Sequence, residues 1–162
     1  MSYPINIDKI TPSLEYYPEV ALLLEESREY LRAHAWCDKI NNGWLFVNLG
    51  KVLCILLYQI ENNQSPDDNL IWMMVGDFPP VYLDSQGVDN TREVVDVYIY
   101  LVNDWIEHVE DGRGVEECFP VLSNWTNEKI EMLKIRMELL KSSILAGIPE
   151  ISFKEIYDGN NN

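Results

Sequence analysis

Val20, Leu23, Leu24, Ser27, Leu31 and His34 recur at helical spacing, while Glu25, Glu26, Glu29 and Arg32 face the other way. The pattern predicts a first helix over about 18–40. Pro18 suits its first turn, Glu19 complements the positive end of its dipole, and Asn41-Asn42-Gly43 tolerates the left-handed backbone that ends a helix. The period then changes. Trp44 to Ile60 is nearly continuous apolar chain, broken at Asn48-Leu49-Gly50-Lys51, and predicts a strand over about 52–60. A polar loop over 61–69, with Pro66, leads to a second strand over about 70–75. The rigid bend Gly76-Asp77-Phe78-Pro79-Pro80 precedes a short third strand over 81–84.

Helical spacing returns after Asn90 or Thr91, either of which caps a helix reaching Asp111. Val94, Val95, Tyr98, Leu101, Val102, Trp105, Ile106 and Val109 form its broad buried stripe, and Gly112-Arg113-Gly114 ends it. A last helix over about 126–146 turns Ile130, Leu133, Met137, Leu140 and Ile144 inward, and Gly147 and Pro149 stop it. The expected fold is α+β: one N-terminal helix, a small antiparallel sheet of about three strands, and two long C-terminal helices. We expect one domain over 1–162, with a frayed tail at 159–162.

Composition narrows the function. Twenty-seven Asp and Glu against twelve Lys and Arg leave a formal net charge of −15. Nucleic acid and anionic membrane repel such a surface; a basic protein or a cation is attracted. Cys37, Cys54 and Cys118 are odd in number and widely spaced, which argues against a disulfide framework or a zinc site and fits a reducing cytosol. The N-terminal residues lack the pattern of a signal peptide, and no apolar run reaches about 18 residues. A cytoplasmic protein is expected.

Candidate chemistry is sparse. Glycine-rich nucleotide fingerprints, a His-Glu-x-x-His pair and a calcium loop are all missing, and the only histidines, His34 and His108, are far apart. No metal, cofactor or catalytic residue is therefore expected. His34 and Cys37 stand one turn apart on the predicted first helix, where an imidazole could lower the thiol's pKa; a core-facing Cys beside a half-buried His fits the same residues. Asp67-Asp68 and Glu116-Glu117 could hold a hard cation or do acid–base work, although loop carboxylates are usually just solvated.

The strongest pattern lies on the penultimate helix. Glu93, Asp96, Tyr100, Asn103, Asp104, Glu107, Glu110 and Asp111 form one stripe opposite the apolar one, and the following loop adds Glu116 and Glu117. Only Arg92 and His108 stand near enough in sequence to relieve the repulsion, and Glu110 and Asp111 oppose the helix dipole. A stripe that works against helix stability is expected to serve docking, with these ten residues as the contacts.

The segment from Asp68 to Leu83, with Leu70-Ile71-Trp72, Val75-Gly76-Asp77-Phe78-Pro79-Pro80 and Tyr82-Leu83, resembles a bacterial family of small acidic cytoplasmic proteins. Trp36-Cys37-Asp38-Lys39-Ile40, Gly43-Trp44, Asn48-Leu49-Gly50, Pro120-Val121 and Met132-Leu133-Lys134-Ile135-Arg136 extend the resemblance over about 15–145. It implies an immunity protein of contact-dependent growth inhibition, whose partner is a pancreatic-ribonuclease-like toxin domain. The resemblance supplies no binding-residue motif. Two other readings stay open: a small enzyme using Cys37 with His34 or a carboxylate pair, and a structural protein that self-associates through a strand edge.

Overall fold

The first helix forms, but it is shorter than its apolar period implies. In the computed structural model, which describes residues 2–158, α1 is Tyr17–Arg32, with Pro18 in its first turn. Ala33 to Trp36 turn the chain, Cys37 N–H donating to the His34 carbonyl at 3.0 Å, and residues 37–40 belong to a strand rather than to the helix. That strand, β2, is Cys37–Asn48; it takes up residues 37–40 expected in the helix, 41–43 expected to stop it, and the start of the apolar run at Trp44. Its pairing with the strand that follows, β3 (Leu53–Asn62), slips between Cys37 and Lys39, Ile40 and Asn42, and Leu45 and Val47. Such bulges break the two-residue alternation by which a strand is recognised.

The sheet has five strands rather than about three. Ile5–Asn6 forms β1, β3 is Leu53–Asn62, β4 is Leu70–Gly76 and β5 is Phe78–Asp84. Their order is β1-β2-β3-β4-β5, with every neighbouring pair antiparallel. β1 is only two residues long, too short to leave a periodic signal. At the other edge Pro79 and Pro80 offer no N–H to a further strand, which blunts that edge against self-association.

Two compact units make up the chain. The first gathers everything up to Val94 with the segment from Pro149 onward; the second is Val95–Ile148. The expected tail at 159–162 lies outside the described residues. In the first unit, Val20, Leu23, Leu24 and Leu31 of α1 pack with Cys54, Leu56, Tyr58, Ile71, Met73 and Val75 of the sheet. Phe46, Ile55, Leu57, Trp72 and Met74 are buried as well, which is why β3 and β4 read as continuous apolar runs. Gly76 in the Val-Gly-Asp motif has φ +152°, and a Cβ there would lie 2.2 Å from the Val52 carbonyl oxygen, so no other residue fits.

A polar pair is buried inside this core. Ser27 Oγ donates to the Leu24 carbonyl at 2.8 Å and lies 2.6 Å from the Tyr58 hydroxyl, which donates to it. Burial pushes Tyr58 up to about 12, and burial does the same to the Cys54 thiol. Both groups keep their proton in the folded chain at pH values where the unfolded chain has lost it. Their stabilising effect is complete below the unfolded values, about 8.5 for Cys and 10 for Tyr, and is lost as pH rises through the folded ones. The urea midpoint should therefore fall between about pH 9 and 12, and Tyr58→Phe should flatten the part above about pH 10. A midpoint constant from about pH 8 to 11 would contradict the burial of these groups.

The second unit holds most of α2, Thr91–Glu110, and α3, Asn127–Leu139. Val95, Tyr98, Ile99, Val102, Trp105 and Ile106 are buried along α2, and Ile130, Leu133 and Met137 along α3. Thr126 caps α3 by accepting from Lys129 N–H at 3.2 Å. The helical path continues to Gly147, as expected, but as a π turn over Leu140–Ile144 and a 3-10 turn over Leu145–Gly147. Ser142 Oγ bonds back to the Glu138 carbonyl at 2.7 Å, a side-chain contact of the kind that perturbs the last turns of a helix.

Candidate functional site

The start of α2 is tied down by its own polar residues. Asn90 Oδ1 accepts from Arg92 and Glu93 N–H, both at 3.0 Å, and Glu93 Oε2 accepts from Asp89 N–H at 2.8 Å. Glu93, placed in the docking stripe by its spacing, is engaged as part of this helix cap. From Asp96 onward the stripe lies open. Asp96, Asn103, Glu107, Glu110 and Asp111 are exposed, and Tyr100 in its middle is 68 % exposed. Glu116 and Glu117 are exposed in the loop that follows.

The stripe meets cations besides Arg92 and His108. Lys134 of α3 pairs with Glu110 and, at 3.3 Å, with Glu131; Arg113 pairs with Asp111 at 3.1 Å. These are exposed pairs of small net value, and they neutralise only the C-terminal end. Asp96, Glu107, Glu116 and Glu117 form no ion pair among the described residues. Asp96 and Glu107, on either side of the exposed Tyr100 ring, and the two loop carboxylates thus present negative charge without an ion-pair partner among the described residues.

Asp104 departs from the row. It is half-buried, its Oδ1 lies 3.5 Å from His108 Nδ1, and it shares a cluster with Cys118 in which one ligand atom of each residue lies within 4.8 Å of the others. Neither the odd cysteine count nor the distance between the two histidines in sequence pointed to this grouping.

His34 and Cys37 do not assemble into a nucleophilic pair. His34 Nδ1 bonds to the Tyr30 carbonyl at 2.9 Å, and its ring packs against Tyr30, Trp36 and Tyr82 at centroid distances of 5.1, 4.9 and 4.7 Å. Cys37 opens β2, and burial raises its thiol pKa, the reverse of activation. In the loop carboxylate pair Asp67-Asp68, Asp68 meets a further carboxyl group. It lies beside Asp84, whose pKa is raised first by burial and then by Asp68, against a lowering bond from Gln86 N–H.

Asp68 and Asp84 line a cleft of about 220 Å³ with Trp36, Tyr82, Asn62 and Ser65. Trp36 and Tyr82 stand 5.0 Å apart between centroids. Aromatic faces beside two carboxylates can seat an ammonium or guanidinium group. Sequence reasoning had Asp68, Trp36 and His34 in hand but could not join them, because the register of β4 with β5 and the turn after α1 bring them together.

Comparison with known proteins returns no family model, curated protein or solved structure that matches the chain. No helix among the described residues is long and apolar enough to cross a membrane.

Proposed function

We propose that this chain is a binding protein for a basic partner, and specifically a cytoplasmic immunity protein that covers the cationic RNA-binding cleft of a nuclease toxin. The observation that carries the reading is the exposed acidic row on α2, in which Asp96 and Glu107 flank Tyr100 without a cation of their own among the described residues. RNA-cleaving proteins bind a polyanion and so carry clustered Lys and Arg; a row of carboxylates can take the place of the phosphates. Charge supplies speed and partner choice, while an exposed tyrosine that becomes desolvated supplies tightness. The blunted β5 edge and the buried, unactivated thiols of Cys37 and Cys54 favour this reading over self-association and over thiol catalysis.

The test uses the product of the neighbouring upstream gene, assayed for RNA cleavage. One equivalent of the purified chain should abolish its hydrolysis of RNA, and the two should co-purify at low salt. Undiminished RNA cleavage in the presence of excess chain would reject the proposal.

A further inference from the structure

We infer that Asp104, His108 and Cys118 form a binding site for one divalent transition-metal ion of the zinc class. The inference is independent of the immunity reading, since it concerns residues within the second unit and needs no partner.

The backbone explains why the three residues meet. Asp104 and His108 are four residues apart on α2 and so share one face of the helix, the spacing used by paired ligands on metal-binding helices. Cys118 comes well after the helix end, and a continuing helix would carry it away. Instead α2 stops in a left-handed glycine: Gly112 has φ +68°, its N–H donates to the Val109 carbonyl at 3.1 Å, and Arg113 N–H donates to the His108 carbonyl at 2.9 Å. This is the six-to-one and five-to-two bonding of a Schellman cap, which reverses the chain. A turn closed by Cys118 N–H on the Val115 carbonyl at 3.0 Å then sets the thiol beside the two helical side chains.

The ligand set selects the class of ion. Imidazole nitrogen, thiolate sulfur and one carboxylate oxygen suit zinc and its neighbours in the first transition row; calcium and magnesium want a shell of oxygens. Tetrahedral zinc with its ordinary bond lengths holds neighbouring ligand atoms about 3.3–3.6 Å apart. Asp104 Oδ1 and His108 Nδ1 are already 3.5 Å apart, and the whole set lies within 4.8 Å, so the ligand atoms have only about an ångström to close onto an ion. All three side chains are only half-buried, which leaves them that freedom. His108 Nδ1 also lies 2.8 Å from the Asp104 main-chain carbonyl, a contact that the ring gives up by rotating when Nδ1 takes the ion. Three protein ligands leave a fourth position for water or for a side chain from outside, as in open zinc sites.

Cobalt(II) titration of the reduced full-length chain tests the site, because a thiolate ligand gives an intense near-ultraviolet charge-transfer band. One equivalent of cobalt should produce that band together with the visible absorption of a tetrahedral ion, and zinc should displace it. Cys118→Ser should abolish the band, and His108→Gln or Asp104→Asn should weaken binding at least about tenfold, with unchanged far-ultraviolet circular dichroism. The wild-type chain alone can overturn the inference: absence of the band at stoichiometric cobalt does so. A band that persists in Cys118→Ser also overturns it, because the ion would then sit on Cys37 or Cys54.

Discussion

Trp72→Ala lowers the unfolding free energy by about 3–5 kcal/mol. The side chain is fully buried in β4, the strand that pairs with both β3 and β5, where it stands opposite Leu57 and Leu83. Its ring meets Phe46 edge to face at a centroid distance of 4.8 Å, and Nε1 donates to the Val88 carbonyl at 2.8 Å. Alanine leaves a cavity, removes the ring pair and strands that carbonyl, and each loss acts in the same direction. Trp72→Phe keeps most of the apolar volume and loses the hydrogen bond, so a smaller cost of about 1–3 kcal/mol is expected. Guanidinium unfolding of the two variants measures both. A cost below about 1 kcal/mol for alanine would mean that the sheet is not packed as described.

Asp96→Lys combined with Glu107→Lys has the largest expected effect on binding: affinity for the basic nuclease falls at least about 100-fold. Both side chains are exposed and neither forms an ion pair among the described residues, so no native ion pair is lost with them. The helix should gain at position 107 and give back part of that at 96, where the new ammonium stands one turn from Arg92. In Glu107→Lys the introduced ammonium faces Asp104, Glu110 and Asp111 one turn away on either side, replacing repulsions with attractions of about a few tenths of a kcal/mol each. Stability that holds or rises while affinity collapses is the signature of a docking surface. Calorimetric titration of wild type and variant against the nuclease, with thermal melts of each, separates the two effects. Unchanged affinity would take the α2 row out of the interface.

What could be read in the sequence follows from the length and regularity of each signal. α2 and α3 announce themselves because their apolar stripes run for several turns between good caps, Asn90 with Gly112 and Thr126 with Gly147. β3 and β4 are apolar at nearly every position, so only their partners were hidden. β2 was lost to its three bulges and to Leu31 and His34, which prolong a helical period past the point where the backbone turns. The exposure of Asp96, Tyr100, Glu107 and Glu110 follows from helix geometry alone. The capping bond of Glu93 was legible in principle, since a carboxylate three residues after an Asn cap reaches back to the backbone at the helix start. Two groupings had no sequence signal: Asp104 with His108 and Cys118 depends on the reversal at Gly112, and Trp36 with Tyr82, Asp68 and Asp84 depends on strand register.

The most direct measurement is the association rate of the chain with the nuclease proposed as its partner, across a series of salt concentrations. A carboxylate surface that meets a cationic cleft should give a rate constant near ~10⁸ M⁻¹s⁻¹ at low salt, falling by about two orders of magnitude or more toward 10⁵–10⁶ M⁻¹s⁻¹ as salt screens the encounter. A rate that ignores salt, or no complex at any ionic strength, would contradict the claim that surplus negative charge is what this molecule uses to find its partner.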